Sequence, residues 1–153
     1  MKILGIIPAR IGSKSLKLKN IKLFNNKPLI YWSIKTAKRS VLNKVIVSTD
    51  SKKIKKIALK YNCEVPFIRP KNISDDKTKG IKVMQHAIKF YQKKNIFFDA
   101  VMFLQPTCPF RTKKDINKAI KLFKKKKSDS VISLVDVEGY HPARMKLKKK
   151  KIE

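Results

Sequence analysis

The sequence predicts a doubly wound α/β domain with a mostly parallel sheet. Three observations carry that expectation. Short apolar runs without alternation recur along the chain, as buried parallel strands require. Between them lie segments whose apolar residues repeat at helical spacing, so strand and helix alternate. Polar, chemistry-bearing strings fall just after the apolar runs, where open α/β sheets bind ligands. With 153 residues, 42% of them hydrophobic, the chain is long enough to bury roughly 68–70% of its unfolded surface in one core.

Taken in order, Lys2 to Pro8 reads as the first strand, closed by Pro8 and polar residues. Residues 9 to 27 carry Arg, Gly, Ser, Lys and Asn with weak periodicity and read as a loop. A helix is expected from Pro28, a residue suited to a first helical turn, with Ile30, Ile34, Ala37 and Val41 on one face. Lys44 to Ser48 is the second strand. Asp50 or Ser51 can cap the next helix, in which Ile54, Ile57, Ala58 and Tyr61 share a face. Met84, Ala87, Ile88 and Tyr91 mark a third helix; Ile116, Ala119, Ile120 and Phe123 mark a fourth, opened by Thr112 with Asp115 in a capping-box arrangement. Asp99 to Leu104 and Ser130 to Val135 supply further strands. After Gly139 the pattern fades, and Lys146 to Glu153 offer no closing element. The fold is therefore expected to be incomplete at its carboxyl end.

Composition excludes several classes. No apolar run approaches the roughly 20 residues of a membrane-spanning helix. Ile3 to Ile7 is too short for a signal-peptide core and runs into Pro8 and Arg10. A cytoplasmic protein with no membrane partner is expected. Cys63 and Cys108 stand apart, without the spacing of a zinc or redox site, and are expected to be reduced thiols. The charge is strongly basic, with 39 Lys plus Arg against 10 Asp plus Glu, a net of +29. That invites a nucleic-acid reading. Against it, Arg occurs only at positions 10, 39, 69, 111 and 144, and the Lys are spread over nearly every polar segment instead of one stripe. Where Lys is the default cation, an Arg suggests a task for a planar guanidinium fork.

The first site candidate is Ile7-Pro8-Ala9-Arg10-Ile11-Gly12-Ser13-Lys14, with Lys19-Asn20 after it. Gly12 and Ser13 allow close approach to a triphosphate, and Arg10, Lys14 and Lys19 supply positive charge. The string is neither a Walker loop nor G-x-G-x-x-G. On spacing alone it is either a phosphate loop or an ordinary basic surface loop.

The same string resembles the opening signature of the N-acylneuraminate cytidylyltransferases and their legionaminate relatives. The resemblance continues through Lys27-Pro28-Leu29-Ile30 and Val45-Ile46-Val47-Ser48-Thr49-Asp50. It runs on through Arg69-Pro70 with Ser74-Asp75-Asp76, Leu104-Gln105-Pro106-Thr107-Cys108-Pro109-Phe110-Arg111, and His141-Pro142. It covers residues 1–142, leaving 143–153 as a basic tail at the start of a missing carboxyl-terminal part.

The resemblance implies a Rossmann-like nucleotide-diphospho-sugar transferase fold. It also implies transfer of CMP from CTP to the anomeric hydroxyl of an acidic nine-carbon sugar, with pyrophosphate released. Ala9, Arg10, Gly12, Ser13, Lys14, Lys19 and Asn20 would hold the triphosphate, Arg10 or Lys19 stabilising the departing pyrophosphate. Arg69 and Asp76 would read the cytosine; Gln105, Thr107, Arg111 and His141 would face the sugar. A Mg2+ ion and a homodimer are implied, the metal ligands lying in an Asp-x-Asp element that this chain lacks. Two neighbouring sugar classes fit less well: octulosonate enzymes tend to lack the K-N step, and pseudaminate enzymes tend to lack L-Q-P-T.

Departures from the pattern are Ser15, where Gly is usual, and Cys108, where Ser is common; Cys108 is expected to be a packed or hydrogen-bonding thiol. Asp50, Asp99 and Asp136 are strand-end carboxylates without an assigned metal role, Asp50 reading more simply as a helix cap. His86 reads as a partly buried structural residue. The Lys runs 124 to 127 and 148 to 151 read as solvated ends. The competing functions are a non-catalytic CTP-binding remnant and a basic nucleic-acid-binding protein.

Overall fold

β1 (Ile3–Pro8) lies at the centre of a three-stranded sheet in a computed structural model that describes residues 1–13 and 16–134. Ile3, Leu4, Ile6 and Ile7 are all buried. Burial at successive positions means that both faces of the strand are covered, which is why its sequence is continuously apolar. β4 (Lys44–Ser48) pairs parallel to one edge of β1, from Leu4 opposite Lys44 to Pro8 opposite Ser48. β5 (Ala100–Phe103) pairs parallel to the other edge, from Ile3 opposite Ala100 to Ile6 opposite Phe103.

Between β1 and the first helix the expected plain loop is more ordered than its composition suggests. A single 3-10 turn spans Lys19–Ile21. A small hairpin follows, β2 (Leu23–Phe24) against β3 (Lys27–Pro28). Its two turn residues, Asn25 and Asn26, both have positive φ, 48° and 58°. That is the geometry of the hairpin turn whose twist suits antiparallel strands, and Asn tolerates it.

α1 (Leu29–Lys38) packs against β1 and β4, burying Ile30, Ser33, Ile34 and Ala37. It ends before Val41, which is 59% exposed and donates its N–H to Asn117 Oδ1. The expected fourth member of that apolar face is thus a loop residue. α2 (Lys52–Lys60) buries Ile54 and Ala58. The segment after it runs beside β4, with parallel bridges from Ile46 to Glu64 and from Thr49 to Ile68. α3 (Gly80–Gln92) buries Val83, Ala87 and Tyr91, and Ala87 and Tyr91 cluster with Leu4, Ile6 and Ile46. His86 on this helix meets Phe67 edge-on at 4.5 Å, and burial, then Arg69, lowers its pKa.

The chain divides into a unit of Met1–Lys118 and a second that begins at Ala119, within α4 (Lys113–Lys126). Thr112 and Asp115 form the capping box: Thr112 Oγ1 accepts from the Asp115 N–H at 3.3 Å, and Asp115 Oδ2 accepts from the Thr112 N–H at 2.8 Å. Lys124, Lys125, Lys126 and Lys127 are exposed, as a solvated end should be. The strand expected over Ser130 to Val135 does not form over 130–134, where Ile132 is 75% and Leu134 91% exposed. β-branched residues need a ladder partner before they make a strand, and these have none among the described residues. Val135 and the tail 143–153 lie outside the described residues.

From β1 the chain moves outward through α1 to β4 and through α2 to residues 64–68, then returns through α3 to β5 on the other side of β1. The strands stay parallel, but the side of β1 on which each new strand is added changes between β4 and β5. The carboxyl ends of β1 and β5 frame the crevice where doubly wound sheets bind ligands.

Candidate functional site

A cleft of about 240 Å³ opens at that switch point. One wall is the loop after β1, with Arg10, Gly12, Ser13, Lys19 and Asn20; the floor holds Pro8 and Phe103; Gln105 and Thr107 close the end beyond β5. The opposite wall runs from Arg69 through Asp75, Asp76 and Thr78 to the start of α3 at Gly80.

The loop after β1 is held at several points. Ala9 is fully buried and donates its N–H to the Ser48 carbonyl at 2.9 Å, so its amide belongs to the sheet and the residue does not line the cleft. Asn20 is 7% exposed and donates from Nδ2 to the Arg10 carbonyl at 2.9 Å. Asp50 Oδ1 accepts from the Ile11 N–H at 2.9 Å. The expected helix-capping role of Asp50 falls instead to Ser51, whose Oγ accepts from the Ile54 N–H at 3.3 Å. Ser51 has the extended backbone of an N-cap, and Asp50, one residue earlier, is left to reach across to the loop. Gly12 is not sterically obliged to be Gly in this arrangement: an added Cβ would meet only Arg10 Nη1, at 3.7 Å.

Arg10 forms an ion pair with Asp76, which joins the loop after β1 to the wall before α3. Arg69 is 4% exposed; its N–H donates to the Thr49 carbonyl at 2.7 Å and its Nε to Ser74 Oγ at 3.1 Å. Burial pushes the Arg69 guanidinium's pKa down, Asp50 opposes that effect, and the positive charge of Arg10 adds to it. Two guanidiniums thus work against one another at one cleft, a cost that a bound polyanion relieves.

Beyond β5, Leu104 is buried and donates its N–H to the Ile6 carbonyl at 2.9 Å, fixing where Gln105 and Thr107 begin. Both are exposed on the cleft rim. Arg111 does not line the cleft. Its Nη2 donates to the Gln105 carbonyl at 3.2 Å, and its own carbonyl accepts from Thr36 Oγ1 at 3.2 Å, so it braces the Gln105 loop. Cys108 is exposed and not packed, because it sits where two successive turns meet, its N–H bonded to the Gln105 carbonyl and its own carbonyl to the Arg111 N–H. Lys14 and His141 lie outside the described residues.

The wall before α3 was not assigned by pattern, apart from Arg69 and Asp76. Asp75 accepts from the Thr78 N–H at 2.7 Å and from its hydroxyl, and these bonds, the hydroxyl's first, hold its carboxyl below the usual range. Gly80 sits against the Phe103 ring, where a Cβ would come to 3.1 Å. The signal available was the string Asp75-x-x-Thr78-x-Gly80, an Asx-type turn leading to a helix start.

Mg2+ needs oxygen ligands in near-octahedral array. Among the described residues no group of three His, Cys, Asp or Glu side chains could hold a metal ion. Asp50 is engaged with Ile11, and Asp99 accepts from the Lys2 N–H at the far, amino end of β5. The described residues thus offer no all-protein Mg2+ cage, and a Mg2+ ion here would need oxygen ligands from a nucleotide's phosphates or from outside the described residues. No helix among the described residues is long and apolar enough to cross a membrane.

Residues 4–149 match the family described as cytidylyltransferase. The chain is 40% identical over 125 residues to the CMP-N,N'-diacetyllegionaminic acid synthase of Legionella pneumophila, covering 81% of this chain and 54% of that protein. It is 40% identical over 139 residues to a pseudaminic acid cytidylyltransferase of Campylobacter jejuni, covering 90% and 60%. Equal identity to both removes the expected disfavour of pseudaminate enzymes. Among solved structures, a cytidylyltransferase of Leptospira borgpetersenii superposes with a TM-score of 0.64 at 25% identity, over 82% of this chain and 50% of that one. A CMP:2-keto-3-deoxy-manno-octonic acid synthetase complexed with CTP gives 0.69 at 19% identity, over 84% and 49%, a likeness of fold alone. The chain spans between half and two thirds of the length of the curated relatives described here.

Proposed function

This chain belongs to the cytidylyltransferase family, and from that premise we propose that its cleft binds CTP and serves CMP transfer to a sialic-acid-like nonulosonic acid. The sugar's anomeric oxygen attacks the α-phosphorus of CTP, the bond from that phosphorus to the bridging oxygen breaks, pyrophosphate leaves, and the hydroxyl proton passes to solvent. Such transfers rest on positioning and electrostatics more than on covalent chemistry.

The observation that carries the reading is the convergence of Arg10, Lys19 and the buried Arg69 on the crevice at the switch point. The triphosphate would lie along the loop after β1, with Arg10 exchanging its Asp76 partner for phosphate oxygens and Lys19 beside it. The Gly12 and Ser13 backbone offers close approach, and Lys14 follows them in the sequence. Asn20 contributes by holding that loop. Arg69 and Asp76 would face the pyrimidine; Gln105 and Thr107 would face the sugar, with Arg111 behind them, and His141 is proposed as a further sugar contact on the strength of the resemblance alone. Cytoplasmic location, Mg2+ dependence and homodimer assembly are parts of the same proposal; the last is read from sedimentation of the chain, with a monomer at every concentration counting against it.

Thermal unfolding with CTP, UTP, ATP and GTP tests binding. A specific ligand at a hundredfold excess over its Kd stabilises by about 2.7 kcal/mol, a rise of roughly 5–10 °C for a chain of this size. Equal or absent shifts with all four nucleotides would sink the proposal. The span of the chain, 54% of one relative and 60% of another, also favours a second reading, a CTP-binding piece that is not catalytic by itself. Pyrophosphate release with legionaminate, pseudaminate and neuraminate acceptors separates the two: CTP binding without release assigns the second.

A further inference from the structure

The carbonyl that Asn20 holds and the N–H that Asp50 holds belong to one and the same peptide unit, the link between Arg10 and Ile11. Each end of that planar group is bound by a side chain distant in sequence, ten residues on for Asn20 and thirty-nine on for Asp50. Asn20 comes from the 3-10 turn, and Asp50 from the bend two residues after β4. The peptide plane cannot flip or tilt without breaking both bonds, so the direction in which Arg10 leaves the backbone is set before any ligand arrives.

We infer that Asp50 is a positioning residue for the phosphate side of the cleft: its carboxylate fixes the Arg10–Ile11 peptide so that Arg10 points at the ligand. The inference rests on the CTP-binding reading above. Asp50 does not line the cleft. It is an anion placed behind a site that takes an anion, and simple Coulomb repulsion would make its removal tighten CTP binding. Positioning makes the opposite forecast, because a peptide left without its acceptor can rotate and carry Arg10 away. The negative charge of Asp50 also favours the charged form of the Arg69 guanidinium, the residue proposed to face the pyrimidine.

The test compares CTP affinity, by titration calorimetry on the full chain, for the wild type, Asp50→Asn and Asp50→Ala. Asn keeps an oxygen for the Ile11 N–H and loses the charge; Ala loses both. Expected are an Asn variant within about threefold of the wild type and an Ala variant weaker by about tenfold or more, the scale of a small misplacement of a binding group. Tighter binding in both variants, or equal binding in all three proteins, overturns the inference. A wild type that does not bind CTP instead overturns the functional reading, and the two failures are thus distinct. Hydrogen exchange of the segment 9–12 without ligand supplies a second readout. The Ile11 amide should stay protected in the Asn variant and exchange faster in the Ala variant, and equal protection in both also counts against the inference. Should Asp50→Ala fail to fold, Asn20→Ala loosens the same peptide from its carbonyl end and is expected to weaken CTP binding likewise; unchanged affinity there overturns it too.

Discussion

Cys63 is buried under α2 with its Sγ donating to the Val45 carbonyl at 3.7 Å, while Cys108 stands exposed on the loop after β5. Burial pushes the Cys63 thiol from 9.0 up to about 12, Lys38 opposing slightly and Glu64 adding. The nucleophilic thiolate is then on the order of one molecule in ten thousand at pH 8. A chromogenic disulfide reagent should therefore titrate one thiol per native chain quickly and the second only after denaturation; two fast thiols would contradict the packing of Cys63. The same burial bears on stability. The folded state holds this proton more tightly than the unfolded chain, so the contribution is complete below about pH 9 and is lost as pH rises toward about 12. Within that window the loss is about 1.4 kcal/mol for each pH unit. Cys63→Ala should lose less stability between pH 8 and pH 10 than the wild type, by roughly 1 kcal/mol, as read from urea midpoints. Tyr91, raised by burial from 10.0 to about 12, adds a similar loss only above pH 10.

Helix starts are where local chemistry and the site meet. Ser51→Ala removes the hydroxyl that accepts from the Ile54 N–H at the start of α2, and Thr112→Ala opens the capping box of α4; each should cost about 1 kcal/mol of stability. Because Ser51 does not touch the Arg10–Ile11 peptide, its loss should lower the unfolding midpoint and leave CTP affinity unchanged, the reverse of what Asp50→Ala should do. A Ser51→Ala variant with weakened CTP binding would show that α2, and not Asp50 alone, holds the loop. The elements that read clearly from sequence, β1, β4 and α2 to α4, are those whose apolar spacing is set by burial, such as Ile54 and Ala58 or Val83, Ala87 and Tyr91. The hairpin at Asn25–Asn26 was missed because its strands have two residues each, too few for periodicity, although an Asn pair that accepts positive φ was a usable sign. Residues 130–134 misled in the other direction, since β propensity says nothing about whether a partner edge exists. Arg10 and Gln105 follow the carboxyl ends of β1 and β5, which a parallel sheet delivers to one edge, so their place beside the cleft was legible in the sequence. Asp50 and Thr78 were not, because their roles depend on which backbone amide lies nearest in space.

Over the whole molecule a net charge of +29 sets two opposing responses to salt. Like charges spread over the surface repel one another more in the folded state than in the expanded chain, and screening relieves this as the Debye length falls to about 10 Å at 0.1 M. The unfolding midpoint of the ligand-free chain should therefore rise between about 10 and 300 mM NaCl. One to two kcal/mol of relief corresponds to about 2–8 °C. The extra stabilisation given by CTP should shrink over the same range, since Arg10 and Lys19 hold a polyanion partly through the same long-range attraction. A nucleic-acid-binding protein would differ in a definable way. Its affinity for single-stranded RNA would fall by several powers of ten across that salt range, and at low salt RNA would displace CTP. The dispersed Lys and the scarcity of Arg argue that RNA binding here is weak and nonspecific, leaving CTP in place at about 150 mM salt. Displacement of CTP by RNA at that salt would show that the basic surface has a selected partner of its own, and that the cleft is not the principal anion site of the chain.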